Sequence, residues 1–434
     1  MKNSGVEWIG EIPDEWEVKK LKYICDPLAS GGTPDSNNDQ YYCENGTNWV
    51  AINDMSLVDY VENTAKHITN LAINEKKLKI YPKGTIIYSI YATLGHVAEL
   101  SKPACINQAL LALSIKDKSF NKSYFKYSLN AMREYVLAFS SGNTQFNLNA
   151  QKVRNFTLLT PSFETQQRIA SYLDKKCSKI EETIQNQQQV IEKLKAYKQS
   201  LITEAVTGKV KIANGKICGE YESYKDSGVE SIGKIPSEWE VKKLKFSSQI
   251  MRGLFSHRPR NDPDYYDGVH PFIQTGEVAR AVKYITTYSQ TLNELGFSVS
   301  REFPAGTVLL TIAANVGDVA ILDFNACFPD SVIGFYPKEN VSKIFMFYVL
   351  KSMKEQFMRN AIISTQMNLN INIVKEEFIP LPSLAEQKEI VKFLEKKSDY
   401  IDTAIEQKQN LIEKLTEYKK SLIYECVTGK KEIM

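Results

Sequence analysis

Two stretches of the chain, SGVEWIGEIPDEWEVKKLK at 4–22 and SGVESIGKIPSEWEVKKLK at 227–245, are one segment written twice. They are identical at 16 of 19 positions, with an offset of 223 residues. A second pair, VIEKLKAYKQSLITEAVTGK at 190–209 and LIEKLTEYKKSLIYECVTGK at 411–430, is identical at 14 of 20 positions with an offset of 221. Because each half begins and ends alike, the sequence predicts an internal repeat.

The segments between these repeated ends differ from each other. YPKGTIIYSIYATLGHVAEL at 81–100 only faintly resembles FPAGTVLLTIAANVGDVAIL at 303–322, and residues 23–75 show no convincing match to 246–297. A constant frame around a variable insert is expected where the insert carries specificity. The alternative is an old duplication whose middles have drifted without consequence. The division that this predicts is a first globular domain with the N-terminal repeat segment at 1–163, a long helix at 164–206, a linker at 207–226, a second globular domain at 227–384, and a second long helix with the C-terminus at 385–434.

The last part of each half predicts a long helix. Residues 164–206 contain no Gly or Pro, and their apolar residues recur at alternating steps of four and three, as in the seam of a coiled coil. Ser162 and Ser383 are available as N-caps, and a Thr-Gly-Lys step supplies a left-handed stop. We expect an intramolecular antiparallel pair, roughly 60 to 65 Å long, that acts as a spacer and gives the chain a pseudo-twofold axis. Its predicted contact residues are Leu173, Ile180, Ile184, Ile191, Leu194, Leu201, Leu394, Ile401, Ile405, Ile412, Leu415 and Leu422.

Composition limits the class of protein only coarsely. The chain has 434 residues, 43% of them apolar, and a formal net charge of +3, which is too balanced to indicate a nucleic-acid partner by itself. No stretch approaches the roughly 20 apolar residues that span a bilayer, and the N-terminal residues lack the pattern of a secretory signal. The seven cysteines are scattered and never form CxxC, which predicts reduced thiols. We therefore expect a cytoplasmic protein.

Both variable segments have the pattern of mixed α/β structure. Runs rich in β-forming residues at 84–90 and 306–312 lie between Gly, Pro and Asn turns, and helical stretches follow near 121–139 and 342–359. The predicted fold class is α/β (α+β), with two globular domains joined by two long antiparallel coiled-coil helices.

One loop of the second variable segment concentrates basic side chains. MRGLFSHRPR at 251–260 has no acidic residue before Asp262, and arginine forks bind guanine edges and phosphates. Its counterpart in the first half, SGGTPDSNN at 30–38, is glycine-rich and neutral to acidic, so the two halves are expected to read different bases. For the basic segment, the alternative is a solvated surface loop. The candidate DNA contacts in these loops are Thr33, Ser36, Asn37, Arg252, His257, Arg258 and Arg260.

A matched pair of amide-rich segments, GNTQFNLN at 142–149 and ISTQMNLN at 363–370, precedes the long helices. Amides can contact adenine edges or phosphates. Their sameness in both halves indicates a common role, either a contact to the DNA backbone or a turn that supports the helix. The candidate DNA contacts here are Gln145, Asn147, Gln366 and Asn368.

No sequence motif indicates catalysis or metal binding. The chain has no phosphate-binding loop, no dinucleotide-binding fingerprint and no HExxH, and its four histidines have no metal-ligand spacing. The sequence therefore predicts a chain without catalytic residues, without a metal site and without a cofactor of its own.

The order of the repeated motifs resembles the specificity subunit of type I restriction-modification enzymes. The resemblance is carried by IPxEWEVKKL, TQxNLN, a Pro-Ser step, a Gln-containing entry and an IEKL, YKxSLI, VTGK arm, and it spans nearly the whole chain. It implies two target recognition domains, each reading one half of a bipartite DNA target. It also implies double-stranded DNA as a partner, two methylation subunits that use S-adenosylmethionine, and restriction subunits that use ATP and Mg²⁺. A coiled-coil adaptor that binds proteins, without DNA specificity, is the alternative.

Overall fold

The structure, a computed structural model, describes residues 1–56, 58–141, 148–362 and 368–433. The chain packs as two compact units, one formed by residues 1–187 and 409–434 and the other by residues 188–408. We call these the first and the second unit. Each contains one variable segment and parts of both long helices. The five predicted segments describe the order along the chain, whereas the packing takes residues from both long helices into each unit.

The described residues form short helices, short strands and two long helices. The helices are α1 (Leu21–Ile24), α2 (Ile52–Met55), α3 (Asn70–Glu75), α4 (Lys122–Ala131), α5 (Arg133–Ser141), α6 (Ala150–Arg154), α7 (Phe163–Val206), α8 (Leu244–Ser247), α9 (Thr275–Arg280), α10 (Glu294–Ser298), α11 (Lys343–Ser352), α12 (Lys354–Ile362), α13 (Ile371–Glu376) and α14 (Leu384–Val427). The strands of the first unit are β1 (Lys2–Asn3), β2 (Glu11–Ile12), β3 (Glu17–Lys20), β4 (Ala29–Ser30), β5 (Tyr42–Cys43), β6 (Thr47–Val50), β7 (Tyr60–Val61), β8 (Lys66–Ile68), β9 (Ile86–Ser89), β10 (Val97–Leu100), β11 (Ala104–Ile106), β12 (Leu110–Leu113) and β13 (Thr157–Thr160). Those of the second unit are β14 (Ile212–Ala213), β15 (Lys216–Ile217), β16 (Tyr224–Asp226), β17 (Lys234–Pro236), β18 (Glu240–Lys243), β19 (Ser248–Arg252), β20 (Tyr266–Pro271), β21 (Tyr284–Ile285), β22 (Thr291–Leu292), β23 (Glu302–Phe303), β24 (Val308–Thr311), β25 (Val319–Leu322), β26 (Ala326–Cys327), β27 (Val332–Pro337) and β28 (Phe378–Leu381).

Each unit is built on a five-stranded sheet, and the strand order is the same in both. It runs β4, β12, β9, β10, β7 in the first unit and β19, β27, β24, β25, β21 in the second. The last neighbours in each sheet, β10 with β7 and β25 with β21, are parallel, and the other neighbours are antiparallel. The two variable segments therefore share one mixed α/β topology although their sequences differ.

The central strands are covered on both faces. Ile86 and Tyr88 of β9 enter the core that contains long-helix residues, whereas Ile87 enters a smaller core on the opposite face. In β24, Val308 and Leu309 divide between two cores in the same way. Burial on both faces explains why these strands read as continuous apolar runs rather than as alternating patterns.

The units differ beside the central sheet. The first unit has a four-stranded sheet in the order β11, β6, β8, β5, whereas the second has the separate pairs β20 with β22 and β23 with β26. Most of these strands fall in the stretches where the two halves show no sequence match, so the difference in sequence corresponds to a difference in structure.

The repeated ends of each half pack on one another within a unit. Gly429 lies against Trp16 in the first unit, and Gly208 lies against Trp239 and Pro236 in the second. The glycines have φ angles of 72° and 71°, and a Cβ at Gly208 would lie 2.3 Å from the Pro236 ring. Both tryptophans are buried. The IPxEW segment and the TGK step therefore form one structural joint, which explains why they are repeated together.

The two long helices have the boundaries that their sequences indicate. Ser162 Oγ accepts a hydrogen bond from the Thr165 amide at 3.2 Å, and Ser383 Oγ accepts one from the Glu386 amide at 3.3 Å. Of the predicted contact residues, Leu194, Ile405, Ile412 and Leu415 are half-buried and the other eight are buried. No helix among the described residues combines the length and the apolar character needed to cross a bilayer.

An ion pair joins the two long helices within each unit. Lys198 of α7 lies 2.6 Å from Asp402 of α14 in the second unit, and Lys419 of α14 pairs with Glu181 of α7 in the first. The two lysines are equivalent in the repeat at an offset of 221, and so are the two acidic residues. The same contact therefore forms twice: α7 supplies the lysine in the second unit, and α14 supplies it in the first.

Candidate nucleic-acid interface

The two loops predicted to contact DNA follow equivalent edge strands. Loop 30–38 follows β4, and loop 251–260 begins at the end of β19. Both strands lie at the same edge of their five-stranded sheets, beside β12 and β27. The topology thus places the neutral loop and the basic loop at the same position in the two units.

A glycine brings each loop against the backbone of a turn, which we call the supporting turn: residues 106–108 in the first unit and 328–330 in the second. An ideal Cβ at Gly31 would lie 1.8 Å from a carbonyl oxygen of its turn, and one at Gly253 would lie 2.3 Å from such an oxygen. No other residue fits at this distance without moving the backbone. The same contact, between a glycine and the backbone of the supporting turn, therefore holds both loops.

Three of the predicted arginines converge on the second supporting turn. Arg260 pairs with the Asp330 carboxylate, and Arg258 Nη2 lies 3.5 Å from its other oxygen. Arg252 Nε donates to the Asp330 main-chain oxygen at 2.5 Å. The side chains of Arg258 and Arg260 remain 51% and 45% exposed, so they can still reach a ligand. The result is a solvent-facing guanidinium cluster on a fixed support.

His257 shapes the basic loop from within. Its ring stacks on Tyr265 with a centroid distance of 3.8 Å, and Nε2 lies 2.9 Å from Asp262 Oδ2. The Tyr266 hydroxyl donates to the Arg260 main-chain oxygen, and burial raises the pKa of this tyrosine. His257 is half-buried, and both of these contacts of its ring are with residues that directly follow the loop.

The loop of the first unit has a different chemistry. Thr33, Ser36 and Asn37 are exposed. The Thr33 hydroxyl donates to the side-chain oxygen of Gln108 in the supporting turn. The main-chain N–H of Asn37 donates to Asp35 Oδ1 at 3.0 Å, which fixes the tip of the loop. This surface offers hydroxyl and amide groups where the second unit offers guanidinium groups.

The amide-rich segments are only partly described. Gln145, Asn147 and Gln366 lie outside the described residues, while Asn368 is described and exposed. The last amide of each segment caps a short helix: Asn149 Oδ1 accepts from the Lys152 amide at 2.9 Å, and Asn370 Oδ1 accepts from the Asn372 amide at 2.8 Å. These final asparagines therefore support a turn.

Sequence reasoning missed the residues of the supporting turns that contact the loops. Gln108 and Asp330 are equivalent in the repeat at an offset of 222, and this correspondence was the available signal. Among the residues that the structure describes, no three His, Cys, Asp or Glu side chains are grouped so that they could hold a metal ion.

The architecture defines a chain that carries one mixed α/β domain twice. Residues 13–196 and 236–415 match the family described as the type I restriction modification DNA specificity domain. The two matches cover most of the chain, so it belongs to this family, and the resemblance seen in the sequence is confirmed.

Similar proteins include three specificity subunits of type I restriction enzymes. The MjaIX subunit of Methanocaldococcus jannaschii is 28% identical over 294 residues, which span 66% of this chain and 63% of that subunit. This chain thus spans slightly less than two thirds of that relative. The putative MjaX subunit of the same organism is 27% identical over 91% of this chain and 89% of its own length. The EcoBI subunit of Escherichia coli is 24% identical over 75% of this chain and 68% of its own length.

Two solved structures share the fold. One comes from work on complex assembly and conformational transition of the type I R-M system, with a TM-score of 0.71, 14% identity, and coverage of 97% of this chain and 100% of that one. The HsdS subunit of Thermoanaerobacter tengcongensis has a TM-score of 0.51 and 15% identity, with 99% of this chain and 100% of that one covered. At these identities the likeness establishes the fold.

Proposed function

We propose that this chain is the DNA sequence-recognition subunit of a type I restriction-modification complex, and that each unit reads one half of a bipartite target. The observation that carries the proposal is the presence of two chemically different loops at equivalent positions, each held against its supporting turn by a glycine. Two matches to a DNA specificity domain favour this function over the protein-binding adaptor. An adaptor would also show no salt-sensitive affinity for DNA.

The two loops supply different readout chemistry. Arg258 and Arg260 present exposed guanidinium groups, which bind guanine edges through two parallel hydrogen bonds. Thr33, Ser36 and Asn37 present smaller neutral groups in the first unit. The half-sites therefore differ in sequence. Each loop enters the major groove, where the four base pairs are distinguishable.

The two long helices form an antiparallel coiled coil that sets the distance between the half-sites. The duplicated ion pairs support this arrangement, because Lys198 meets Asp402 and Lys419 meets Glu181 only if the helices run in opposite directions. Each helix has 44 residues, or roughly 66 Å at 1.5 Å per residue. That length approaches two turns of DNA at roughly 34 to 36 Å per turn.

The chain itself contributes recognition and assembly, and its partners contribute the chemistry. Two methylation subunits dock on the helices and bind S-adenosylmethionine, while the restriction subunits bind ATP and Mg²⁺. The resemblance to type I specificity subunits implies this division, and the lack of catalytic motifs in the sequence agrees with it. We place the complex in the cytoplasm, where it meets DNA.

Replacement of Arg258 tests the reading of bases by the second unit. In the complex with methylation subunits, Arg258→Ala should cost about 1 to 3 kcal/mol of binding free energy and relax sequence preference in one half-site only. Arg280→Ala, which removes an exposed arginine from α9 in the same unit, is the matched control and should leave preference unchanged. Binding would be measured by competition between duplexes that vary in one half-site. A loss that is uniform across sequences would reassign Arg258 to a phosphate contact, and no loss would contradict the role of the loop.

A further inference from the structure

Gln108 and Asp330 occupy the same place in the two supporting turns, and both contact the loop that the proposed function assigns to DNA. We propose that they are positioning residues that set the geometry of the recognition loop in each unit and thereby select the bases that it reads. The inference rests on the proposed function. It adds two specificity-determining positions that touch the loop from a different part of the chain.

Both the side chain and the main chain of Asp330 contact arginines of the basic loop. The carboxylate binds Arg260 and lies 3.5 Å from Arg258, and the main-chain oxygen accepts from Arg252. Arg258 Nη1 also donates to the main-chain oxygens of Phe255 and His257, at 2.6 and 2.7 Å. Without the carboxylate, the three like charges would repel one another and the guanidinium planes would lose their fixed orientation. Recognition through two parallel hydrogen bonds needs that orientation.

Gln108 makes the corresponding contact with a neutral group. Its side-chain oxygen accepts from the Thr33 hydroxyl, at a place where the loop carries no arginine. The support therefore matches its loop in each unit: a carboxylate beside arginines and an amide beside a threonine. The glycine that brings the loop backbone onto the turn is the same in both units, whereas the supporting side chain is not. Residues 108 and 330 thus belong to the part of the structure that differs between the two half-site readers.

Asp330 also limits binding to DNA of the wrong sequence. Its negative charge offsets part of the charge of Arg258 and Arg260, which reduces their attraction to phosphates that any duplex offers. Removal of the charge frees an arginine for a phosphate contact. Affinity for non-target DNA should then rise while discrimination falls, a combination that simple loss of structure would not produce.

The test uses the full chain assembled with its methylation subunit, and it reads the methylated adenines by single-molecule sequencing. Asp330→Asn preserves shape and removes the charge. It should relax one or more positions of the half-site read by the second unit, and leave the other half-site unchanged. Asp330→Glu, which keeps a carboxylate, should restore preference at those positions. Gln108→Ala should relax base preference only in the half-site read by the first unit. Asp323→Asn, an exposed aspartate of the same unit, is the control and should change neither.

A second measurement follows binding of a non-target duplex by fluorescence anisotropy over a range of salt concentrations. The Asp330→Asn complex should bind this duplex about 3- to 10-fold more tightly at 0.1 M salt. Its affinity should also fall more steeply as the salt concentration rises, by the increment that about one additional phosphate contact gives. An Asp330→Asn complex that keeps both half-sites intact would overturn the inference, and so would one that loses both together. A wild-type complex without any bipartite methylated motif would contradict the proposed function, and the inference with it.

Discussion

Gln166 and Gln387 tie the start of each long helix to the variable segment that precedes it. Gln166 Oε1 accepts a hydrogen bond from the main-chain N–H of Asn121 at 2.8 Å. Gln166 Nε2 donates to the main-chain oxygens of Ser119 and Pro161, each at 3.0 Å. Both glutamines are fully buried, and Gln387 makes the equivalent three hydrogen bonds in the second unit. A buried amide with all these partners fixes the direction in which the helix leaves its unit.

Gln166→Leu should therefore destabilise the chain by about 2 to 3 kcal/mol, because it removes one buried and two part-buried hydrogen bonds. Chemical denaturation of the full chain measures the change. The neighbouring Gln167 is exposed, so Gln167→Leu should shift the unfolding free energy by less than about 0.5 kcal/mol. Equal effects of the two substitutions would show that the buried hydrogen bonds are not what stabilises this joint.

The titration of Lys351 should make the stability of the folded chain depend on pH. Burial lowers its pKa to about 8, and the nearby Lys198 and Lys354 contribute in the same direction. In the unfolded chain the pKa is about 10.4. Between these values the unfolded state binds more protons than the folded state, so the lysine contributes stability that increases as pH rises.

Relative to Lys351→Met, the wild-type chain should gain about 2 to 3 kcal/mol of unfolding free energy between pH 8 and pH 10.5. The comparison with a variant cancels the titration of other groups. Lys193→Met, at an exposed position of α7, should show a difference from wild type that does not vary with pH. A pH-independent difference for Lys351→Met would contradict the burial argument.

At the scale of elements, the duplicated ion pair reports how the long helices align. Lys198→Asp and Asp402→Lys should each destabilise the chain, and the double variant should recover most of the loss, because the charges again oppose each other. The coupling free energy should be about 0.5 to 1 kcal/mol, since Asp402 is 41% exposed and solvent weakens the attraction. The exposed Lys195 and Glu192 pair on one helix is the control, with a smaller coupling of about 0.2 to 0.5 kcal/mol. Zero coupling between Lys198 and Asp402 would exclude the proposed alignment.

The spacer proposal makes a separate prediction about length. Deleting one heptad from each helix, residues 188–194 and 406–412, keeps the seam in register and shortens the pair by about 10 Å. The unread spacer of the target should become shorter by up to about three base pairs, with the bases of both half-sites unchanged. Sequencing of methylated adenines measures both quantities at once. Altered half-site bases with an unchanged spacer would show that the helices do not set the distance.

The elements show which features a sequence can predict. The long helices follow from local signals, since a serine cap, a repeating apolar seam and a glycine stop all lie within or directly beside the segment they define. The shared strand order of the variable segments depends on pairing between distant strands, and the sequences of the two halves match too faintly there to indicate it. The two loops proposed to contact DNA were chosen from the composition of one and the equivalent position of the other, and their contact with DNA stays a prediction. Asp330 was missed because it lies 70 residues from Arg260 along the chain, and only the folded structure brings the two together.

For the whole molecule, the repeat separates what is constant from what varies. The joint of IPxEW with TGK, the buried glutamines, the ion pairs between helices and the glycines under the loops occur in both units. The loop side chains and their supporting residues differ between the units. A frame of this kind allows one half-site to change without disturbing the other, which is the property that a bipartite reader of DNA needs.

The central claim is that the two units read two different half-sites. The most direct measurement is single-molecule sequencing of methylated adenines in cells that express this chain with its cognate methylation subunit, compared with cells that lack the chain. The account predicts a new methylated motif with two unlike half-sites separated by an unread spacer. An assembled complex that produces no new methylation, or a motif with a single continuous site, would contradict it.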